Sequence, residues 1–293
     1  MNYLKEFKLF LEDEDKSELT IKSYLAGINQ FQKWLKEVYD ITDVSIIATR
    51  EIKNYRSFLL ERYSPASLNQ KLAIIKTFFN FLYECNIIDE NPAHKVKLQS
   101  IEDNFEHQYL TRSEELTVLK IAKDKDIKTY CIVLLMLKSG ARVSEVSNLK
   151  LNNIILDEKE PTILIKNSKG QKSRYIPIPQ DVVVALENWI EVRNKSEKIY
   201  HLKSEFVFTS QRAEKLQTRA IQRILSNIGK EAGIKLYPIR LRATYANNLL
   251  QHSNIPINIL ATLMGHSNIN TTGRYAKASM YDKRKYIETL SEI

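Results

Sequence analysis

Helical periodicity constrains this chain more than any other feature of its sequence. Apolar side chains recur at steps of three and four residues, most clearly over residues 21–38 and 64–82 and more weakly near 1–12 and 49–62. Such spacing places the apolar side chains on one face of each helix, and helices of this kind bury those faces against one another. Residues 1–97 are therefore predicted to form a small all-helical bundle.

One stretch breaks the helical pattern. Between Thr162 and Pro179 apolar residues alternate with polar ones, around a polar interruption at residues 166–173 that contains Lys169 and Gly170. Alternation of this kind indicates two β-strands joined by a turn. Helical patterns return over residues 181–193, 218–232, 242–251, 256–264 and 279–290. The predicted fold class is mainly α with a small β-sheet.

A change of pattern also marks a domain boundary. The helical pattern of the first part stops at Pro92, and the stretch before Thr111 has mixed charge and no period. Thr111 with Glu114 three residues later forms a capping box, which begins a new helix. We interpret residues 98–108 as a linker and residues 109–293 as a second domain.

The charge of the chain is unevenly distributed. Residues 1–100 contain equal numbers of basic and acidic side chains, so the net charge of +9 lies entirely in the remainder. A basic domain attracts polyanions, of which DNA and RNA are the commonest. Charge alone does not separate such a partner from a merely soluble basic surface.

Cysteine content and hydropathy indicate the cellular compartment of the protein. The two cysteines, Cys85 and Cys131, indicate no disulfide framework. The longest apolar run, Cys131 to Leu137, is too short to cross a membrane. We expect a cytoplasmic protein with no membrane partner, associated with the nucleoid if it binds DNA.

Glycine is rare, and its placement is informative. The chain has seven glycines, and four of them lie within two residues of Arg142, Lys169, His266 or Tyr275. The pairs are Gly140 with Arg142, Gly170 with Lys169, Gly265 with His266 and Gly273 with Tyr275. Glycine lets the backbone turn sharply or approach a ligand closely. The pattern fits a phosphate site built from several segments.

Four segments, three of which contain these glycines, form ordered motifs. They are residues 139–146, 169–178, 241–246 and 263–275. In this order they resemble the first arginine, β-hairpin lysine, second arginine, and histidine and nucleophile motifs of the tyrosine site-specific recombinases, the phage-integrase and Xer type. Each motif alone is weak, but four in the family's order make a specific signal. The resemblance implies an N-terminal SAM-like core-binding bundle that clamps DNA and a C-terminal α+β catalytic domain.

The resemblance implies roles for five residues. Arg142 and Arg242 bind the non-bridging oxygens of a phosphodiester, where charge grows in the transition state. Tyr275 is the nucleophile and stores the broken bond as a 3′-phosphotyrosine. Lys169 protonates the leaving 5′-oxygen, and His266 hydrogen-bonds the scissile phosphate. No cofactor is implied, and the sequence shows no carboxylate cluster of the kind that a metal-dependent nuclease needs.

Each residue also has a plainer interpretation. Arg142 and Glu145, at i and i+3 of a predicted helix, fit a surface ion pair. Lys169 and Arg174 fit a solvated hairpin tip, and Tyr275 is one of fifteen tyrosines. The alternative function is a DNA-binding protein that keeps the fold and has lost the chemistry. A type IB topoisomerase shares the chemistry, but a separate helical domain fits a recombinase better.

Two positions depart from the family pattern. Ile239 stands where the family usually has a histidine three residues before the second arginine, and Ala243 stands where a histidine often follows that arginine. Isoleucine can neither donate a hydrogen bond nor carry a proton. Our hypothesis is that the site works more slowly, with Arg240, Tyr237 or water covering part of the role. These departures favour a mobile element over chromosome-dimer resolution.

The resemblance also implies an assembly. Four protomers bind two double-stranded DNA sites, each an inverted-repeat core, to form a homotetramer in the synapse. The segment after Tyr275 is amphipathic and in relatives docks onto the neighbouring subunit. The overall length, without a further N-terminal arm-binding domain, argues against the larger integrases. The target sequence and any accessory proteins cannot be read from the sequence.

Overall fold

The structure, a computed structural model, describes residues 3–100, 109–166, 173–253 and 255–265. The chain divides into two compact units, Met1–Asn104 and Phe105–Ile293. Among the described residues no helix is long and apolar enough to cross a membrane.

The first unit is the predicted helical bundle. Its described helices are α1 (Leu4–Asp13), α2 (Glu18–Tyr39), α3 (Thr49–Leu60) and α4 (Pro65–Glu84). Ser64 caps α4 by accepting a hydrogen bond from the backbone nitrogen of Ser67 at 3.4 Å, as expected of a serine before a helix that begins with proline. Aromatic rings fill the interior, and the rings of Phe31 and Tyr55 lie 4.8 Å apart between centroids. The bundle thus has a core of its own.

The chain that follows α4 stays attached to this bundle as far as Gln99. Asn69 and Gln99 exchange two hydrogen bonds, from Asn69 Nδ2 to the Gln99 carbonyl at 2.8 Å and from the Gln99 backbone nitrogen to Asn69 Oδ1 at 2.7 Å. Arg56 Nη2 donates to Gln99 Oε1 at 2.6 Å. These bonds satisfy backbone groups that a free segment would expose to water.

The described part of the second unit is mainly helical with one small sheet. Its described helices are α5 (Arg112–Lys125), α6 (Ile127–Ser139), α7 (Val143–Ser147), α8 (Gln180–Asn194), α9 (Ile199–Lys203), α10 (Thr218–Glu231), α11 (Pro238–Ser253) and α12 (Ile257–Met264). The predicted capping box begins α5: the backbone nitrogen of Thr111 donates to Glu114 Oε2 at 2.8 Å, and that of Glu114 donates to Thr111 Oγ1 at 3.2 Å.

The predicted hairpin is present. Strands β2 (Thr162–Ile165) and β3 (Arg174–Pro177) pair antiparallel, and β1 (Ile154–Ile155) adds a short third strand beside β2. Ile163 and Ile176 face each other in the register and are both fully buried, which explains the alternating pattern. Strand β1 was not predicted, because two residues are too few to show an alternating pattern.

Helix α6 lies at the centre of the second unit. The apolar run from Cys131 to Leu137 is buried on every side, and α5, α8 and α11 pack against it. A helix that is apolar all round belongs in a core, since it has no face to offer to water. Its rigid carboxyl end at Ser139 leads directly into the turn that carries Arg142.

Some helix bounds differ from the prediction. The pattern predicted a helix over 242–251, but α11 begins earlier, at Pro238, and α9 was not predicted at all. Both missed segments, residues 238–241 and 199–203, are only four or five residues long, which is too short to show a helical period. The predicted helix over 279–290 lies outside the described residues.

Candidate active site

Two of the five predicted site residues lie in the part of the chain that the structure describes. Arg142 precedes α7 and Arg242 lies in the first half of α11, and both side chains reach the carboxyl end of α12. The predictions for Lys169, His266 and Tyr275 fall outside the described residues and stay predictions.

A tight turn after α6 places Arg142. Gly140 ends α6 with φ of +60°, a left-handed conformation that residues with a side chain rarely adopt. A Cβ built on Gly140 would lie 2.3 Å from Cδ1 of Tyr245, so the tyrosine ring packs directly on the glycine backbone. This contact sets α11, which carries Arg242, against the turn that carries Arg142.

Arg242 is buried, with 7% of its surface exposed. Its Nη1 donates to the carbonyl oxygen of Gly140 and its Nη2 to that of Met264, each at 2.5 Å. A buried guanidinium is stable only when its N–H groups find acceptors of this kind. Arg242 therefore joins the carboxyl ends of α6 and α12.

Arg142 is the more accessible of the two arginines. Its side chain is 38% exposed, and it stands at the N-cap position of α7. Its Nη2 donates to the carbonyl oxygen of Gly265 at 2.9 Å, and its Nη1 donates to Glu145 Oε1 at 2.9 Å. The guanidinium is thus oriented from two sides while part of it still faces solvent.

Glu145 holds this cluster together. The predicted ion pair with Arg142 exists, but the carboxylate is only 8% exposed, so the surface interpretation is wrong. Besides the backbone and side chain of Arg142, it binds Arg174, whose Nη1 and Nη2 donate to its two oxygens at 3.0 and 2.8 Å. Burial alone would raise the pKa of Glu145, but the hydrogen bonds from Arg174 and Arg142 outweigh it and hold the pKa below its ordinary value.

Three arginines bind three successive carbonyl oxygens where α12 ends. The pairs are Arg174 with Leu263, Arg242 with Met264 and Arg142 with Gly265. The last carbonyls of a helix have no partner within it and carry the negative end of its dipole, so cations bind there favourably. This end of α12 is fixed by all three side chains, and His266 is the next residue in the chain.

The described part of the cluster carries an excess of positive charge. The guanidinium groups of Arg142, Arg174 and Arg242 meet at the end of α12, and the carboxylate of Glu145 pairs with the first two of them. The ring of Tyr245 is buried against Gly140, and burial raises the pKa of its hydroxyl, although Arg242 and Arg174 act against the rise. The cluster is suited to bind a phosphodiester, whose charge arginine forks match in geometry.

A polar groove of about 690 Å³ opens beside Arg142. Its lining includes the side chains of Ser144, Asn148, Lys150, Asn152 and Lys166. Lys150 pairs with Glu205 at 2.6 Å and Lys215 donates to Asn148 Oδ1 at 2.9 Å, so these side chains are partly ordered already. Hydroxyl, amide and ammonium groups are those with which proteins bind nucleic-acid phosphates.

The structure corrects one expectation about the missing histidine. Arg240 was a candidate to replace it, but its Nη2 donates to both oxygens of Glu114 at 2.9 and 3.1 Å, and its Nη1 donates to the carbonyl of Lys235 at 2.9 Å. Its guanidinium group is therefore bound to Glu114 in the first turn of α5. Ile239 is 60% exposed and Tyr237 is 39% exposed, so neither is packed into the core.

Two members of the cluster, Glu145 and Arg174, received no functional role from the sequence. Both lie within the family-like motifs, but Glu145 was interpreted as half of a surface ion pair and Arg174 as part of a solvated hairpin tip. Arg174 is in fact buried, with a side chain that is 7% exposed. Their places in the motifs, and the spacing of Glu145 three residues after Arg142, were the sequence signals that could have identified them.

Comparison with known families matches both parts of the chain. Residues 108–281 match the Phage integrase family, and residues 4–86 match the N-terminal SAM-like domain of phage integrases. The first match alone covers more than half of the chain. The protein therefore belongs to the phage integrase family, and the predicted fold class of a SAM-like helical bundle followed by an α+β catalytic domain is confirmed.

Similar proteins narrow the class to tyrosine recombinases. The chain is 30% identical to tyrosine recombinase XerA of Pyrococcus furiosus, with 97% of this chain and 92% of the relative covered. It is 28% identical to tyrosine recombinase XerC of Pediococcus pentosaceus, and the match covers 94% of this chain and 93% of the relative. It is 26% identical to the TnP I resolvase of Bacillus thuringiensis, and the match covers 99% of this chain and 100% of the relative. The chain is accordingly a tyrosine recombinase enzyme.

Solved structures agree with this assignment. The crystal structure of XerA recombinase is 26% identical with a TM-score of 0.55, covering 99% of this chain and 98% of that one. The post-cleavage complex of XerH with its difH substrate is 19% identical with a TM-score of 0.76, covering 93% and 79%. The Tn1549 transposon integrase in complex with circular intermediate DNA is 18% identical with a TM-score of 0.77, covering 98% and 99%. The last two comparisons show a shared fold.

Proposed function

We propose that this recombinase cleaves and rejoins double-stranded DNA at a specific site through a covalent 3′-phosphotyrosine intermediate on Tyr275. One observation carries the proposal. Arg142 and Arg242, far apart in the chain, bind neighbouring carbonyls at the end of α12, and His266 and Tyr275 follow that end in the sequence. Two guanidinium groups at one point suit the two non-bridging oxygens of a phosphodiester.

In the first step the hydroxyl oxygen of Tyr275 attacks the scissile phosphorus. A bond forms between that oxygen and phosphorus, and the bond from phosphorus to the 5′-oxygen of the strand breaks. Lys169 gives its proton to the leaving 5′-oxygen. In the second step the 5′-hydroxyl of a partner strand attacks the phosphotyrosine and releases Tyr275. Each step exchanges one phosphorus–oxygen bond for another, so rejoining needs no external energy source.

The arginines supply electrostatic stabilisation. Charge on the non-bridging oxygens grows towards the pentavalent transition state, and fixed donors aimed at that charge need not reorganise as it develops. Arg142 and Arg242 are fixed by the carbonyls of α12, and His266 adds a further hydrogen bond. The proton of Tyr275 passes to water, because Ile239 cannot accept it, and this transfer is proposed to limit the rate.

DNA as the partner is supported by charge and by the groove. The net positive charge lies outside the first hundred residues, and the groove beside Arg142 offers hydroxyl, amide and lysine groups to the phosphates of a strand. The solved XerH and Tn1549 integrase structures are complexes with DNA. Exchange between two duplexes cleaves four strands, one tyrosine for each, so we propose a homotetramer on two inverted-repeat core sites.

For the biological role we propose integration, excision or resolution for a mobile element. Ile239 and Ala243 depart from the family pattern, and the chain resembles the TnP I resolvase over its whole length. Xer-like resolution of chromosome dimers is the second candidate, which the 30% identity to XerA favours. Deleting the gene in its host separates them: filamentous cells with unsegregated chromosomes support the second candidate, and normal division supports the first.

The enzymatic proposal is tested by trapping the covalent intermediate. Nicked duplexes that tile the DNA flanking the gene are incubated with protein in the presence of a chelator and resolved on a denaturing gel. We expect an adduct that Tyr275→Phe abolishes and that the matched control Tyr281→Phe retains. Sequence-specific binding without any adduct would instead support the non-catalytic DNA-binding alternative.

A further inference from the structure

We infer that Arg174 is a positioning residue for strand cleavage, which holds Glu145 and through it sets the charge and orientation of Arg142. The inference rests on the proposed function of Arg142 and goes beyond it, because Arg174 takes part in no bond-making step. It concerns a residue that the sequence places beside a polar turn and that the structure places inside the cluster.

The contacts of Arg174 engage all three of its guanidinium nitrogens. Nη1 and Nη2 donate to the two oxygens of Glu145 at 3.0 and 2.8 Å, and Nε donates to the carbonyl oxygen of Leu263 at 2.9 Å. Only the planar fork of arginine can make these bonds at once, since lysine offers a single ammonium group. Arg174 thus fastens the start of β3 to α7 and to the end of α12.

At the end of α12, Gly265 leaves no space for a side chain of its own. A Cβ built on Gly265 would lie 2.6 Å from Nη1 of Arg174 and 2.8 Å from its Cζ. The backbone of Gly265 therefore lies directly against the guanidinium group. Arg174 supports the chain at the last described residue before His266.

Arg174 also determines how much charge Arg142 can offer to a phosphate. One carboxylate is shared by two guanidinium groups, so the trio carries one net positive charge. Without Arg174, the buried carboxylate of Glu145 loses two hydrogen bonds and compensates Arg142 alone. Arg142 is then drawn towards Glu145, and together they offer the phosphate an ion pair with almost no net charge.

A positioning role and a packing role for Arg174 predict different effects of neutralising Glu145. If Arg174 only stabilised the fold, removing the charge of Glu145 as well would not help cleavage. If Arg174 acts through Glu145, neutralising that carboxylate in an Arg174 variant frees Arg142 again. Glutamine suits both positions, because it keeps most of the side-chain volume and can hydrogen-bond without charge.

The experiment measures single-turnover adduct formation on a nicked duplex that the wild type cleaves. We expect Arg174→Gln to lower the rate by about 10²-fold, the loss that misplacing a reacting group can cause. The double variant Arg174→Gln with Glu145→Gln should recover part of that loss. The matched control is Arg193→Gln, another arginine of the same unit that is 2% exposed and donates to a backbone carbonyl, that of Ser204; it should stay within a few-fold of wild type.

Two results would overturn the inference: a wild-type rate in Arg174→Gln, or a double variant no faster than the single one. If the wild type forms no adduct on any duplex, the result contradicts the proposed function and not the role of Arg174. Hydrogen exchange then tests whether Arg174 positions the end of α12. Amides of residues 257–265 should exchange faster in Arg174→Gln and unchanged in Arg193→Gln. Equal exchange rates of these amides in wild type and Arg174→Gln would refute the positioning role of Arg174. If the double variant does not fold, the same exchange measurement replaces the rate comparison.

Discussion

The guanidinium of Arg142 donates a hydrogen bond to the carbonyl oxygen of Gly265 at 2.9 Å, joining residues 123 positions apart in the chain. This bond attaches the first arginine motif to the start of the histidine and nucleophile motif. Arg242 binds the preceding carbonyl, that of Met264. The motifs therefore converge through side-chain to backbone bonds at one helix end, and the following predictions test what this convergence does.

Arg242→Lys should reduce cleavage far more than it reduces stability. The lysine keeps the charge but cannot donate to Gly140 and Met264 together while facing a phosphate, and losing one such donor costs about 10²–10³-fold in rate. Single-turnover adduct formation and urea unfolding measure the two effects. Arg240→Lys, two residues away and paired with Glu114, is the control. Equal rate losses in both variants would contradict a direct role for Arg242.

Gly140→Ala should destabilise the second unit more than Gly233→Ala. Both glycines have positive φ, +60° and +70°, so both substitutions cost about 1–2 kcal/mol of backbone strain. Only at Gly140 would the new Cβ also overlap the ring of Tyr245, whereas nothing lies within 4 Å at Gly233. Urea unfolding of both variants gives the difference. If the two free energies of unfolding agree, the packing of Tyr245 on Gly140 is not rigid.

Glu145 should make stability depend on pH in the acid range. Its pKa is depressed in the folded protein, so its ion pairs contribute stability that is fully present above the ordinary value of 4.5 and is lost as the pH falls through the folded value. The gap, that is, the difference in unfolding free energy between wild type and Glu145→Gln, should be largest at neutral pH. It should disappear as the pH falls below 4.5. Glu191→Gln, which breaks an exposed pair with Lys195, should show almost no gap. A gap that persists in strong acid would refute this account.

Ile239→His should raise the cleavage rate. The position is 60% exposed on the first turn of α11, so the substitution should change stability by no more than about 0.5 kcal/mol. A histidine there can accept the tyrosine proton, and general base catalysis contributes about 10²-fold or more. Ile239→Gln, which can hydrogen-bond but not carry a proton, should gain less. A large loss in Ile239→His would mean that the pocket is built differently.

Local sequence signals predicted most of the fold. The capping box at Thr111 and the strands that flank the hairpin depend on neighbours within a few residues, and both are present. The start of α11 was missed because Arg240, a charged residue in a helix's first turn, is buried by pairing with Glu114 across 126 positions. Tertiary pairing of this kind leaves no period in the sequence.

The candidate site was predictable in part, for a related reason. Arg142 and Arg242 lie in ordered motifs, so resemblance identified them. Glu145 and Arg174 were assigned to the surface, because charged residues are seldom buried. Their burial depends on a pairing between residues 29 positions apart, which single-sequence patterns do not encode.

The central claim is that Tyr275 carries the cleaved strand. The most direct measurement is mass spectrometry of the trapped protein–DNA adduct after digestion with protease and nuclease. We predict a nucleotide joined through its 3′-phosphate to the peptide that contains Tyr275, and no such species in Tyr275→Phe. A nucleotide attached to another residue, or an adduct that survives in Tyr275→Phe, would contradict the account.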